Sequence, residues 1–183
     1  MFYTAQQVKN MANKTKWHKD AVQKAKEEFE VFSKQPLTVL PFAEFCAFEK
    51  TGDRTPYDTI YFPRRGWLNK SAILSMIFDD EPKYIEYLHK IIWAICDEAS
   101  WASPPHFWDA DGLEGILTHI DLFAAETGQA LCEIKSMLGD RLEKWLRERI
   151  DVEVRRRIIE PFKKRKFHWE TDEHNWAAVC GGN

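Results

Sequence analysis

Cysteine is sparse in this chain, and what there is does not cluster. Cys46, Cys96, Cys132 and Cys180 stand far apart, without the close pairs that zinc and iron–sulfur sites use. Each sits among apolar neighbours, so free buried thiols are expected, and no metal or other cofactor. A large excess of one charge is lacking too. The formal net charge is −3 over 183 residues, which argues against disorder and against wholesale nucleic-acid binding. No apolar run is long enough to span a membrane, so a membrane partner is not expected. The N-terminal Met1-Phe2-Tyr3-Thr4-Ala5 has no basic segment followed by an apolar one. It shows no secretory signal and reads as cytoplasmic as it stands, or as secreted if a signal has been removed. No repeat of fixed period and no low-complexity stretch is present.

What the chain does have is tryptophan, eight of them, and helical periodicity. Ala5 to Lys34 reads as one long helix, rich in Lys, Glu, Gln and Ala and ended by Gln35-Pro36. Pro41 to Lys50 is short and aromatic. The turn pairs Gly52-Asp53, Thr55-Pro56 and Phe62-Pro63 make Thr51 to Asn69 a loop. Ser71 caps a short helix over Ala72 to Phe78. Pro82 opens the next helix, whose Tyr84, Leu88, Ile91, Ile92, Ile95 and Cys96 share one face. Two prolines make Trp101-Ala102-Ser103-Pro104-Pro105-His106-Phe107-Trp108 an extended loop that carries Trp101, His106 and Trp108. A single helix follows, with apolar residues from Leu113 to Leu138 and Gly139 as its stop. Asp140 caps the last long helix, where Leu142, Leu146, Ile150, Val154, Ile158 and Phe162 recur every fourth residue. No strand is credible. The expected fold is a single all-α domain over residues 1–183, built of antiparallel helical pairs.

Three places carry candidate chemistry. Arg64 and Arg65, beside Trp67, would suit an acidic sugar, because a guanidinium grips a carboxylate or sulfate through two donors; a solvated surface loop is the plainer reading. The run from Arg147 through Arg155, Arg156, Arg157 to Lys166 is a solvated helix face or an attractor for a polyanion. Near the C-terminus, His174-Asn175-Trp176-Ala177-Ala178-Val179-Cys180-Gly181-Gly182-Asn183 sets two polar groups and an indole at the start of a small-residue helix, with Thr171 or Asp172 as cap. On spacing alone, core packing for Trp176 and Val179 and capping for His174 and Asn175 explain this as well. Asp121 and Glu126 lie beside an apolar stripe, where carboxylates are more often paired or solvated than catalytic.

The Asn175-Trp176 to Val179-Cys180-Gly181-Gly182 string, with Trp169-Glu170 before it, resembles the heparinase II/III family of polysaccharide lyases. The resemblance runs back through Asp121-Leu122-Phe123-Ala124-Ala125-Glu126-Thr127 and Trp101-Ala102-Ser103-Pro104-Pro105-His106, and covers most of the chain from about Pro63 onward. It implies an incomplete (α/α) toroid of helical pairs followed by a β-sandwich, and cleavage of uronate-containing polysaccharides by β-elimination. The C5 proton of a uronate becomes removable once the adjacent carboxylate is neutralised. By the resemblance, Asn175 is the candidate neutraliser, with His174 as alternate. Trp176, Trp101 and His106 would line the cleft, and Arg64 and Arg65 would meet substrate charge.

The chain departs from the family pattern as well. None of Tyr3, Tyr57, Tyr61, Tyr84 and Tyr87 falls in the context of the family's catalytic tyrosine. That tyrosine, a second catalytic histidine and the β-sandwich are all missing from this sequence. The expectation is the N-terminal portion of a lyase toroid, inactive alone, whose partner is an acidic polysaccharide and whose exposed helix faces permit self-association. The alternatives are a non-catalytic helical module for acidic glycans, or a helical scaffold whose basic run contacts nucleic acid or an acidic protein. Base-stacking aromatics near that run are too few to make nucleic acid the expected partner.

Overall fold

The computed structural model describes residues 3–171 and 175–182. The described residues form an all-α protein with no strand. The helices are α1 (Ala5–Ala12), α2 (Lys16–Phe32), α3 (Phe42–Phe45), α4 (Ala47–Thr51), α5 (Thr55–Ile77), α6 (Pro82–Cys96), α7 (Gly112–Leu117), α8 (Leu122–Leu138), α9 (Lys144–Val154), α10 (Glu160–Lys164) and α11 (Trp176–Gly182). Short 3₁₀ turns cover Pro104–Asp109, Gly139–Arg141 and His168–Glu170, and a π-helical segment, Arg155–Ile159, joins α9 to α10.

The centre is the α5–α6 hairpin. α5 runs for 23 residues, through a stretch whose turn pairs point to a loop. Pro56 sits in its first turn, where a missing N–H costs nothing. Pro63 lies inside the helix on its exposed face, while Tyr57, Tyr61, Arg64, Leu68 and Ala72 bury the inner one at helical spacing. That stripe outweighs the proline, and the expected helix at Ala72 is only the end of α5. The chain then turns back, and Arg64 before the turn meets Glu98 after it, the register of an antiparallel pair. α8 and α9 form a second pair across Gly139. Gly128 brings α8 against the π segment: a Cβ there would stand 3.2 Å from Ile158 Cγ1.

Two expected long helices are each split. Thr15 caps α2, accepting from the N–H of His18, so α1 and α2 are separate. Asp121 caps α8, accepting from the N–H of Ala124 at 2.8 Å, so the Leu113–Leu138 stripe belongs to α7 and α8. The Trp101–Trp108 stretch is not extended throughout: Pro104 and Pro105 open a 3₁₀ turn, a position that needs no proline N–H.

The main core joins Phe29, Phe32, Leu68, Tyr84, Leu88, Ile91, Ile95, Leu131 and Ile150. Phe29 and Phe32 of α2 pack edge-on and tilted against Tyr84 and Tyr87, with centroids 4.7–5.6 Å apart. A smaller cluster, Ile120, Ala125, Phe167, Trp169 and Cys180, seats the C-terminal segment on α8. Cys96 and Cys180 are buried thiols, as expected, whereas Cys46 is half-buried and Cys132 is exposed. No described helix is long and apolar enough to cross a membrane.

Candidate functional site

The C-terminal cluster is where the sequence motifs converge. Asp121 is fully buried, and its carboxylate is shared among three donors. Oδ1 takes the α8 cap, and Oδ2 accepts from the N–H of Ser103 at 2.9 Å and faces Nδ1 of His106 at 2.6 Å. With its proton on Nδ1, His106 donates to Asp121 and presents Nε2 as an acceptor. Nε2 makes no hydrogen bond among the described residues, and the His106 side chain keeps 17 % exposure. The 3₁₀ turn at Pro104 aims the imidazole, and the α8 cap fixes its anchor.

Rings extend from His106 in both directions. On one side the imidazole stacks on Phe123, 5.7 Å between centroids at 15°. On the other it meets Trp176 edge to face at 4.8 Å. Trp176 next packs against His168 at 5.6 Å, and His168 against Trp108 at 4.5 Å. His168 is anchored as His106 is: its Nδ1 lies 2.8 Å from Oδ2 of Asp109. The result is a row, Trp108–His168–Trp176–His106–Phe123, in which indoles alternate with aspartate-held imidazoles. Trp108 is largely exposed and Trp176 half-buried, so the row offers apolar faces to solvent. Behind it, His119 is buried, and burial holds its pKa below the ordinary imidazole value despite the pull of Asp109 and Asp121. Cys180 is a neutral thiol: burial, then the charges of Asp121 and Glu126, push its pKa up to about 12.

The candidate residues separate into those on this row and those elsewhere. Asn175 is exposed beside Trp176, and its carbonyl accepts from the N–H of Val179 at 3.1 Å. His174 and Asp172 lie outside the described residues. Trp101 is 1 % exposed; its Nε1 donates to the carbonyl of Ile95, and Arg157 sits over its ring. It packs the core and does not line a cleft.

Arg64 is also buried, and its donors are spent on Glu98 at 2.8 Å and on the carbonyl of Thr38 at 2.6 Å, so it is not placed to grip a substrate carboxylate. Arg65 pairs with the same carboxylate at 2.6 Å and lies over the Tyr61 ring at 3.8 Å. Burial opposes its charge, but Glu98 wins and raises its pKa. It keeps one edge on a recess of about 130 Å³ shared with Phe123 and Glu126, and so reaches the end of the row.

The basic run is largely neutralised within the chain. Arg149, Arg156 and Arg157 converge on Glu153, Arg147 pairs with Asp140, and Arg155 and Lys164 pair with Glu160. Arg157 is buried and donates to the carbonyls of Cys96, Glu98 and Ala99, at and just beyond the end of α6. This segment braces the fold more than it displays charge.

His168 and Asp109 escape the sequence reading, because their partnership with Trp176 spans distant segments and leaves no spacing signal. Among the described residues no group of His, Cys, Asp and Glu is arranged to hold a metal ion. Comparison with protein-family models and with curated proteins finds no match to this chain.

Proposed function

We propose that this chain is the helical toroid portion of a heparinase II/III-like polysaccharide lyase and binds a uronate-containing polysaccharide along the Trp108–Trp176–His106 row. The observation that carries the reading is the alternation of indoles with aspartate-anchored imidazoles. Indole faces stack on pyranose rings, and the Asn175 amide meets a carboxylate between them. The Asn175 amide donates to the uronate carboxylate, which makes the C5 proton acidic. In the elimination that proton passes to a base, the C5 electron pair forms the C4–C5 double bond, and the C4–O bond breaks as its oxygen takes a proton back from the conjugate acid of that base or from solvent. The Nε2 atom of His106, with Asp121 behind it, is the described proton acceptor on the row.

One observation favours a non-catalytic glycan-binding module instead. Tyr57, Tyr61, Tyr84 and Tyr87 are all buried, and burial raises the phenol pKa of each. They supply no tyrosine base to the row.

Titration calorimetry with uronate oligosaccharides, at two salt concentrations, tests the shared part. Binding that weakens at least tenfold in both Asn175→Ala and His106→Ala supports it. Binding that ignores both variants and vanishes with salt would refute it, leaving only surface charge at work. Release of unsaturated uronate by this chain, followed by its ultraviolet absorbance, would overturn the expectation that it is inactive alone and would exclude the pure binding module.

A further inference from the structure

A second cavity lies on the other side of α5, and it is built differently. It holds about 460 Å³, within the range of small-molecule sites. Leu37 and Leu40 form one wall, Phe45 another, and Leu113 and Leu117 of α7 close the far side. Residues 36–41, before α3, are not helical, and Arg64 holds them through its 2.6 Å bond to the carbonyl of Thr38. The same guanidinium, paired with Glu98, makes part of the cavity wall.

The charges around this apolar space do not cancel equally. Arg64 and Glu98 neutralise each other at 2.8 Å. Asp97 is engaged by Arg149 at 3.0 Å. Lys90, exposed and part of the same wall, has no ion-pair partner among the described residues. A ligand with a carbon body and a single carboxylate satisfies both features: its body displaces water from the leucine and phenylalanine walls, and its carboxylate meets the ammonium. A neutral apolar molecule would gain nothing from Lys90, and a cation would be repelled by it.

We propose that this cavity binds an amphipathic monocarboxylate, such as a medium-chain alkanoate. The proposal is independent of the glycan reading, since it uses none of the residues on the Trp108–Phe123 row.

Calorimetric titration of the full chain with decanoate, below its micelle concentration, is the test, with 1-decanol and decylamine beside it. Decanoate should saturate one site about tenfold more tightly than 1-decanol, with decylamine weakest. Lys90→Gln should erase the difference between decanoate and the alcohol. Ala94→Phe, which fills the cavity from α6, should abolish binding of both. Should that variant fail to fold, Leu40→Trp blocks the cavity from the non-helical wall, where there is no helix to disturb. Absence of saturable binding would overturn the proposal. So would decanoate binding that survives the blocking variants, or a carboxylate preference that survives Lys90→Gln.

Discussion

Asp121 holds His106 at 2.6 Å through one carboxylate oxygen while its other oxygen caps α8. A single buried side chain thereby ties the orientation of the imidazole to the start of a helix. Asp121→Ala removes the cap, about 1 kcal/mol, and strands the buried N–H of Ser103, about 1–3 kcal/mol. The expected loss is about 2–4 kcal/mol in urea denaturation. Asp121→Asn, with its oxygen kept on the α8 cap, turns an NH₂ toward both His106 and the N–H of Ser103, so it also leaves the Ser103 donor unsatisfied. The imidazole should then accept at Nδ1 and carry its proton on Nε2, a tautomer change visible by ¹⁵N NMR. An unchanged tautomer in the asparagine variant would show that Asp121 does not set the ring.

Glu98 is the second buried hub. Its carboxylate, 1 % exposed, joins Arg64 and Arg65 across the α5–α6 hairpin. Breaking a buried pair from one side leaves uncompensated charge, here on two guanidiniums. Glu98→Ala should lower unfolding stability by about 3–5 kcal/mol, and Glu98→Gln should recover little of it, since shape returns without the charge. The comparison is made by chemical denaturation at fixed salt. A loss under about 1 kcal/mol in either variant would mean the arginines find other partners or water.

These hubs mark the limit of what the linear pattern conveys. The buried faces of α6 and α8 are legible because Tyr84, Leu88, Ile91 and Ile95, or Ala124, Leu131 and Ile134, repeat at a period set by helix geometry alone. The Phe62-Pro63 pair misleads because a turn signal is local, whereas its cost is decided by which face the ring takes, and that face is solvent. Arg64 and Arg65 look like ligand grips for the same reason: with 51–69 read as a loop they are surface charges, and on a helix both reach inward to Glu98. His106 and Trp176 are each identifiable from their motifs. Their 4.8 Å contact, and the part His168 and Asp109 play beside it, come from tertiary packing of the Trp169 and Cys180 cluster on α8.

His119 supplies a pH dependence with a definite sign. It is 4 % exposed and lies between the rings of Phe107 and Phe167. Burial lowers its pKa, and Arg165 and His168 add to that, while Asp109 and Asp121 pull the other way. In the unfolded chain the same imidazole titrates near an ordinary value of about 6.5. As the pH falls through that value the unfolded state takes up the proton first, so stability drops. The loss continues down to the folded-state pKa and then levels off; above about pH 8 the group contributes almost no slope. Urea midpoints measured from pH 7.5 down to 5 should therefore decline. His119→Phe, which keeps an aromatic ring between Phe107 and Phe167, should flatten that decline without lowering stability at pH 7.5 by more than about 1.5 kcal/mol. Asp109→Asn should steepen it, because the attraction that partly restores the folded pKa is gone. Parallel pH profiles for the native chain and His119→Phe would show that the buried imidazole is not the group responsible.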